Sequence, residues 1–208
     1  TLREKANKMD APIFFEGADF IWNQISTGEV KLECKNRIFT LPKPSLIGPH
    51  QIQNAALAAA SIIYSDHFTP LNDALFSGIR LAKWPGRVQF IDQGKLLNYR
   101  DSRPIWIDGA HNSHGATALA ASLAQITEEK WTLIAGMLNT RKPEEVFVPL
   151  KNQISEIFTI TIPGQLTSLS AQELSDNCQD LGIKAMAKPS LSAALSATSE
   201  SEFVVICG

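Results

Sequence analysis

The rhythm of apolar and polar positions changes near residue 84. In the first part, short runs at Ile13-Phe14-Phe15, Phe20-Ile21-Trp22, Val30-Lys31-Leu32-Glu33 and Arg37-Ile38-Phe39-Thr40-Leu41 are punctuated by Gly17 and Thr27-Gly28. Short β-rich runs between turn residues predict an antiparallel meander. Pro42 and Pro44 break the chain, and the alanine-rich stretch from His50 to Tyr64 predicts a helix whose small side chains allow close packing. Thr69-Pro70 is the pattern of an N-cap and first-turn proline, opening a second helix through Arg80.

Beyond Trp84-Pro85-Gly86 the chain alternates. Continuous apolar runs at Ile105-Trp106-Ile107, Thr132-Leu133-Ile134-Ala135, Ile157-Phe158-Thr159-Ile160, Ile183-Lys184-Ala185 and Phe203-Val204-Val205-Ile206 predict buried strands. Helical patterns separate them near 115–127, 143–154, 170–181 and 190–198, and Ser170-Ala171-Gln172-Glu173 is a capping box. Repeated β-to-α-to-β units imply an α/β, Rossmann-like doubly wound sheet, mostly parallel, preceded by the meander and two helices. The predicted division is 1–83 and 84–208. No G-x-G occurs, so the fold brings no dinucleotide function with it.

The 208 residues are 44% hydrophobic and 19% charged, which is globular composition. A net charge of −2 offers no field for nucleic acid or an anionic membrane. No apolar run approaches the length of a membrane span, the polar start is no signal peptide, and three scattered cysteines suit a reducing cytoplasm. Cys34, Cys178 and Cys207 read as small hydrophobes, and Trp22, Trp106 and Trp131 as packing residues.

Ligands of open α/β sheets gather at the carboxyl ends of strands. The richest such end is Asp108-Gly109-Ala110-His111-Asn112-Ser113, where a carboxylate, an imidazole and the start of a helix converge. The plainer alternative makes Asp108 a helix cap and the histidines polar loop residues. Ser113 in H-N-S-H-G approximates a hydrolase elbow, but His111 occupies the place where that turn wants glycine.

Asp108-Gly109-Ala110-His111-Asn112 resembles the D-x-A-H-N element of the folylpolyglutamate synthase / dihydrofolate synthase family, within the Mur ligase superfamily. Gly48-Pro49-His50-Gln51-Ile52-Gln53-Asn54-Ala55-Ala56 resembles its G-x-H-Q-x-x-N-A-A segment, Pro85-Gly86-Arg87-Val88-Gln89 its P-G-R-x-Q hinge, and Gly136-Met137-Leu138 its G-M-L loop. The resemblance implies the end of a central ATP-binding domain (1–83) followed by a C-terminal Rossmann-like glutamate ligase domain (84–208). No G-x-x-x-x-G-K-[ST] loop is present, so the chain is expected to be the C-terminal portion of a longer ligase, inactive alone. Both ends are expected to be cut. The Mg²⁺ ligands are expected upstream.

The activity implied is ATP-dependent addition of L-glutamate to folate or dihydropteroate through an acyl phosphate, in a cytoplasmic enzyme that is monomeric at full length. By the same resemblance Asn54, Arg87 and Asp108 contact ATP: an amide suits an adenine edge, a guanidinium fork suits phosphate, and the carboxylate reaches ribose or a metal-bound water. His111 and Asn112 handle the incoming amine and the intermediate, and Arg141 and Lys142 bind glutamate's carboxylates. Lys142 stands where relatives tend to have aspartate, and Ser113 where they have proline after His-Asn. Two alternatives remain: a non-catalytic nucleotide- or amino-acid-binding module, and another Mur-type amino-acid ligase.

Overall fold

Two compact units divide the chain in this computed structural model, residues 1–46 with 50–83 and residues 47–49 with 84–208. The structure describes residues 1–25, 28–65, 67, 71–101, 103–198 and 203–208.

In the first unit, helix α1 (Leu2–Lys8) opens on a capping box of Thr1 with Glu4, the same S/T-x-x-E pattern that starts the helix at Ser170. Strands β1 (Phe20–Gln24), β2 (Val30–Cys34) and β3 (Arg37–Leu41) form the antiparallel meander. Lys35 and Asn36 both take positive φ, 48° and 56°, and make the two-residue turn that sets Cys34 opposite Arg37. One face of the sheet (Phe20, Val30, Leu32, Cys34, Phe39 and Leu41) is buried against α2 (Pro49–Tyr64) and α3 (Asn72–Leu81). On α2 the buried contacts include Ala56, Ala59 and Ala60, small enough to bring the helix close to the strands. Two expectations change here. Ile13-Phe14-Phe15 forms no strand, because Phe15 N–H is taken by the Asp19 carboxylate at 2.7 Å and Phe14 stacks on Tyr64. Helix α3 starts at Asn72 after Leu71; the Thr69-Pro70 start signal lies outside the described residues.

The second unit is a six-stranded sheet in the order β4 (Gln89–Ile91), β5 (Ile105–Asp108), β9 (Val204–Cys207), β6 (Trp131–Ala135), β7 (Ile154–Thr159) and β8 (Ala185–Ala187). Only β4 runs antiparallel, on β5; every other pairing is parallel. Successive strand residues point to opposite faces. Trp106, Leu133, Ile157 and Val205 therefore join the core under α4 (Ser113–Ile126), α5 (Pro143–Leu150) and α6 (Ala171–Asp180). Ile105, Ile134, Phe158 and Val204 face a second core with Leu97, Ala194 and Leu195. Those residues belong to the 3₁₀ turn Lys95–Arg100 and to α7 (Leu191–Ser196). The strand order moves one way from β5 to β8 and then returns to β9. Right-handed crossovers convert that reversal into helices on both faces.

The expected capping box is present, Ser170 Oγ accepting from Glu173 N–H and Glu173 reaching back to Ser170 N–H. Helix α5 stops at Leu150, four residues short of expectation, with Pro149 in its last turn and Ile154 already in β7. Strand β8 begins at Ala185 rather than Ile183, which instead sits in the core after the Gly182 turn.

Candidate functional site

The carboxyl end of β5 carries the densest polar set. Asp108 is its last residue, 8% exposed. Its Oδ2 accepts from Val88 N–H and its Oδ1 from Ala110 N–H, each at 2.8 Å. The first bond ties the chain entering β4 to the chain leaving β5, two segments separated by 20 residues. Two further bonds close the same junction: Gly109 N–H to the Gly86 carbonyl at 2.8 Å, and Gly86 N–H to Gln89 Oε1 at 3.0 Å. Within this turn Gly86 has φ 70° and Val88 φ 44°. Glycine takes that region freely, whereas a β-branched residue there is strained.

Arg87 lies between those two residues and passes over Gly109. A β-carbon on Gly109 would come 3.4 Å from Arg87 Nη1 and 3.6 Å from the Gly86 carbonyl oxygen, so the bare glycine backbone makes room for the guanidinium. Arg87 is exposed, and no carboxylate among the described residues pairs with it. It is a fixed-charge fork facing solvent at the end of a parallel sheet.

His111 is also exposed, with Nδ1 2.8 Å from the Gly109 carbonyl oxygen. A carbonyl only accepts, so this contact puts the proton on Nδ1 and leaves Nε2 as the basic nitrogen. Asn112 Nδ2 stands 3.5 Å from Nε2. Asn112 is the N-cap of α4: its Oδ1 accepts from Gly115 N–H at 2.8 Å. The helix is therefore capped by Asn112, and Asp108 serves the neighbouring turn instead. Ser113 is the first residue of α4 and has no positive φ, so the strained serine of a hydrolase elbow is absent.

Arg141 and Lys142 follow β6 at the same end of the sheet, with β9 between β5 and β6. Asn139 N–H donates to the Thr167 carbonyl at 2.7 Å and Leu169 N–H to the Met137 carbonyl at 2.8 Å, which stitches the β6 exit to the β7 exit. Lys142 is the residue before α5 and gives it no side-chain cap. Both cations are exposed and lack a carboxylate partner among the described residues.

Asn54 belongs to the first unit, on α2. Its Nδ2 donates to Gln51 Oε1 at 3.0 Å, and Gln51 Nε2 donates to His50 Nε2 at 2.9 Å. This chain orients Asn54, an exposed residue, through its Nδ2.

Cys207, paired in register with Asp108, has its thiol pushed up to about 12, first by burial and then by the Asp108 charge. Burial alone takes Cys178 to about 12. Both stay protonated near neutrality and carry no nucleophilic chemistry. No group of three or more His, Cys, Asp or Glu among the described residues could hold a metal ion.

The structure thus gathers Arg87, Asp108, His111 and Asn112 at one strand exit. It sets Arg141 and Lys142 at another, and keeps Asn54 in the first unit. Val88 and Gln89 entered the sequence reading only as positions of the P-G-R-x-Q resemblance, and their backbone and side-chain bonds to this junction were not anticipated.

Residues 86–208 match the family described as Mur ligase, glutamate ligase domain. The chain is 29% identical over 167 residues to the dihydrofolate synthase/folylpolyglutamate synthase of Bacillus subtilis, covering 76% of this chain and 35% of that protein. It is 30% identical over 148 residues to the folylpolyglutamate synthase of Lacticaseibacillus casei, covering 69% and 31%. A solved structure of the bifunctional folylpolyglutamate synthase/dihydrofolate synthase of Yersinia pestis, complexed with AMPPNP and Mn ion, superposes with a TM-score of 0.81 at 23% identity. That superposition covers 100% of this chain and 47% of the other, so the chain spans less than half of each of these relatives.

Proposed function

The chain belongs to the family of the Mur ligase glutamate ligase domain, and from that membership we propose that its full-length protein is an ATP-dependent ligase that joins L-glutamate to a folate. The acid substrate is dihydropteroate, a folate, or both. Residues 1–83 are assigned to the end of the central ATP-binding domain and 84–208 to the glutamate ligase domain. The observation that carries the reading is the unpaired Arg87 guanidinium held over Gly109 at the β5 exit, beside the oriented His111 imidazole.

A carboxylate is a poor acceptor for an amine. ATP, when bound, supplies the phosphate that makes it an acyl phosphate. Arg87 would meet phosphate oxygens with its planar fork, the geometry suited to bidentate binding. Asn54 would meet the nucleotide base with its amide. At the β6 exit, Arg141 and Lys142 would hold the two carboxylates of glutamate. His111 Nε2, kept basic by the Nδ1 bond, would take the proton that the amine loses on attack. Asn112 fixes the start of α4 beside it.

The described residues do not form a divalent-cation site. Asp108 is engaged by two backbone N–H groups, and no step is assigned to a metal here. The protein is placed in the cytoplasm as a monomer, without nucleic-acid or membrane partners; no helix among the described residues is long and apolar enough to cross a membrane.

The test is incorporation of labelled glutamate by the full-length protein, with dihydropteroate and with tetrahydrofolate offered separately. ATP-dependent product with either supports the ligase, and the preferred acid identifies the reaction. No ATP-dependent product with either would overturn it.

A further inference from the structure

We propose that Gly136 is a positioning residue for the amino-acid substrate. Lying without a side chain between the exits of β9 and β7, it fixes where the β6 exit loop presents Arg141 and Lys142. The inference deepens the ligase reading above and rests on it, since it takes those two cations to hold glutamate's carboxylates.

The last register pairs of the three strands are Ala135 with Cys207 on one side and Ala135 with Thr159 on the other. One residue later on β6 and β9, the backbones lie too close for side chains. Gly208 has φ 132°, and a β-carbon on it would fall on the Gly136 carbonyl oxygen. On the other side, a β-carbon on Gly136 would lie 2.7 Å from Ile162 Cγ1 and 3.2 Å from the Ile160 carbonyl oxygen. Carbon atoms pack best about 3.5–4.0 Å apart, so position 136 has room for bare backbone alone. The loop that follows is tied along its length. Leu169 N–H donates to the Met137 carbonyl at 2.8 Å and Asn139 N–H to the Thr167 carbonyl at 2.7 Å. Ser168 Oγ accepts from Ile162 N–H at 2.9 Å, which keeps Ile162 beside Gly136. Arg141 comes two residues after the Asn139 tie, and α5 begins at Pro143, directly after Lys142. A methyl at 136 must displace the β6 exit or the β7 exit, and either movement is carried into this short tied loop. A misplacement of about 1 Å at a substrate site costs up to about 10²-fold.

Kinetics of the full-length protein test this. Gly136→Ala is expected to raise the KM for glutamate at least about tenfold and to leave the KM for ATP within about twofold. A merely structural fault lowers the fraction of folded enzyme, which reduces kcat and moves neither KM. Ile162→Ala removes the carbon that the new methyl meets. By itself it should leave both KM values within about threefold, and Gly136→Ala/Ile162→Ala should recover most of the loss. An unchanged KM for glutamate in Gly136→Ala, an equal rise for ATP, or a double variant as impaired as Gly136→Ala overturns the proposal. If Gly136→Ala does not fold, the relieved background carries the test. There alanine at 136 should be tolerated, whereas Gly136→Val/Ile162→Ala should restore the tenfold rise for glutamate alone. A wild-type KM for glutamate in that variant overturns the proposal.

Amide hydrogen exchange gives an arm that does not depend on activity. In whichever obstructed variant folds, the Asn139 and Leu169 amides should exchange at least about tenfold faster than in wild type, while those of Trp106 and Ile107 keep their rates. Unchanged exchange at both loop amides also overturns the proposal. A wild-type protein without ATP-dependent glutamate incorporation would fail the ligase reading, whereas the exchange result would still stand for or against the coupled exits.

Discussion

His111 Nδ1 and the Gly109 carbonyl oxygen stand 2.8 Å apart, and that contact decides which imidazole nitrogen can accept a proton. A histidine of this tautomer presents Nε2 outward as a base, two residues from the carbonyl that orients it.

Replacing His111 by Asn keeps a donor near the Nδ1 position and removes the base. If the proposed ligase activity is correct, turnover of the full-length protein should fall by about 10²–10³, the usual worth of a positioned general base. The KM for ATP should stay within about twofold. Steady-state kinetics with ATP and glutamate varied separately will check this. A change confined to ATP affinity would move His111 to the nucleotide.

Gly109 and Arg87 should report on each other. Arg87→Ala is expected to lower kcat/KM for ATP by about 2–4 kcal/mol, and Arg87→Lys to recover only part of that because the fork is lost. Gly109→Ala puts a methyl 3.4 Å from Arg87 Nη1 without a positive-φ penalty. It should therefore weaken ATP use while shifting the melting temperature by no more than about 2 °C. A large loss of stability with normal kinetics would separate Gly109 from Arg87.

Asn112 has a structural duty that can be measured apart from any catalytic one. Asn112→Asp retains a capping oxygen for Gly115 N–H, whereas Asn112→Ala removes it and should cost about 1 kcal/mol. Urea unfolding of both variants, with glutamate incorporation measured alongside, distinguishes the roles. Full activity in a destabilised Asn112→Ala would confine the residue to capping.

Gly136 is placed where a side chain does not fit. A β-carbon there would lie 2.7 Å from Ile162 Cγ1 and 3.2 Å from the Ile160 carbonyl oxygen. Gly136→Ala should therefore destabilise the protein by about 1–3 kcal/mol, as overpacking does, and a wild-type urea midpoint would contradict the packing.

Alkaline pH should weaken the native state through its buried thiols. Folding raises Cys178 and Cys207 from an ordinary 9.0 to about 12, so the folded protein keeps protons that the unfolded chain releases. Their contribution is fully present below pH 9.0 and is lost as pH climbs toward about 12. Each thiol removes up to about 1.4 kcal/mol per pH unit in that window. Urea unfolding at neutral pH and pH 10 should show this loss in wild type and a smaller one in Cys178→Ala/Cys207→Ala. Equal slopes would refute it.

What the sequence disclosed and what it hid follow a physical division. Local signals were legible: the Ser170–Glu173 box, the apolar runs that became β5, β6, β7 and β9, and the Asp108-to-Asn112 exit. Features made by distant partners were not. Strand β4 exists because Gln89, Phe90 and Ile91 pair with β5, and nothing in its own three residues demands extension. The 3₁₀ turn before β5 is held by fully buried Arg100, whose Nε reaches Thr198 Oγ1 at 3.1 Å across 98 residues. Ile13-Phe14-Phe15 carries strand propensity, but its backbone and rings found partners at Asp19 and Tyr64 instead. At the site, the residue types were readable while the division of labour was not. Only the fold shows that Asn112 caps the helix and that Asp108 reaches back to Val88.

Strand β9 is the ninth in chain order yet lies in the interior of its sheet, flanked by β5 and β6. Trp106 waits for Val205 and Leu133 for the same residue, so the central pairings join segments far apart in the chain. A growing polypeptide that has made β4 to β8 still presents two open inner edges, with Trp106-Ile107 on one side and Leu133-Ile134 on the other. Unpaired apolar edges invite other chains. The sheet that positions Arg87 and His111 therefore closes as one late, non-local event, slow in the way that high contact order makes folding slow. During synthesis those two edges stay open until residues 204–207 emerge to fill the slot.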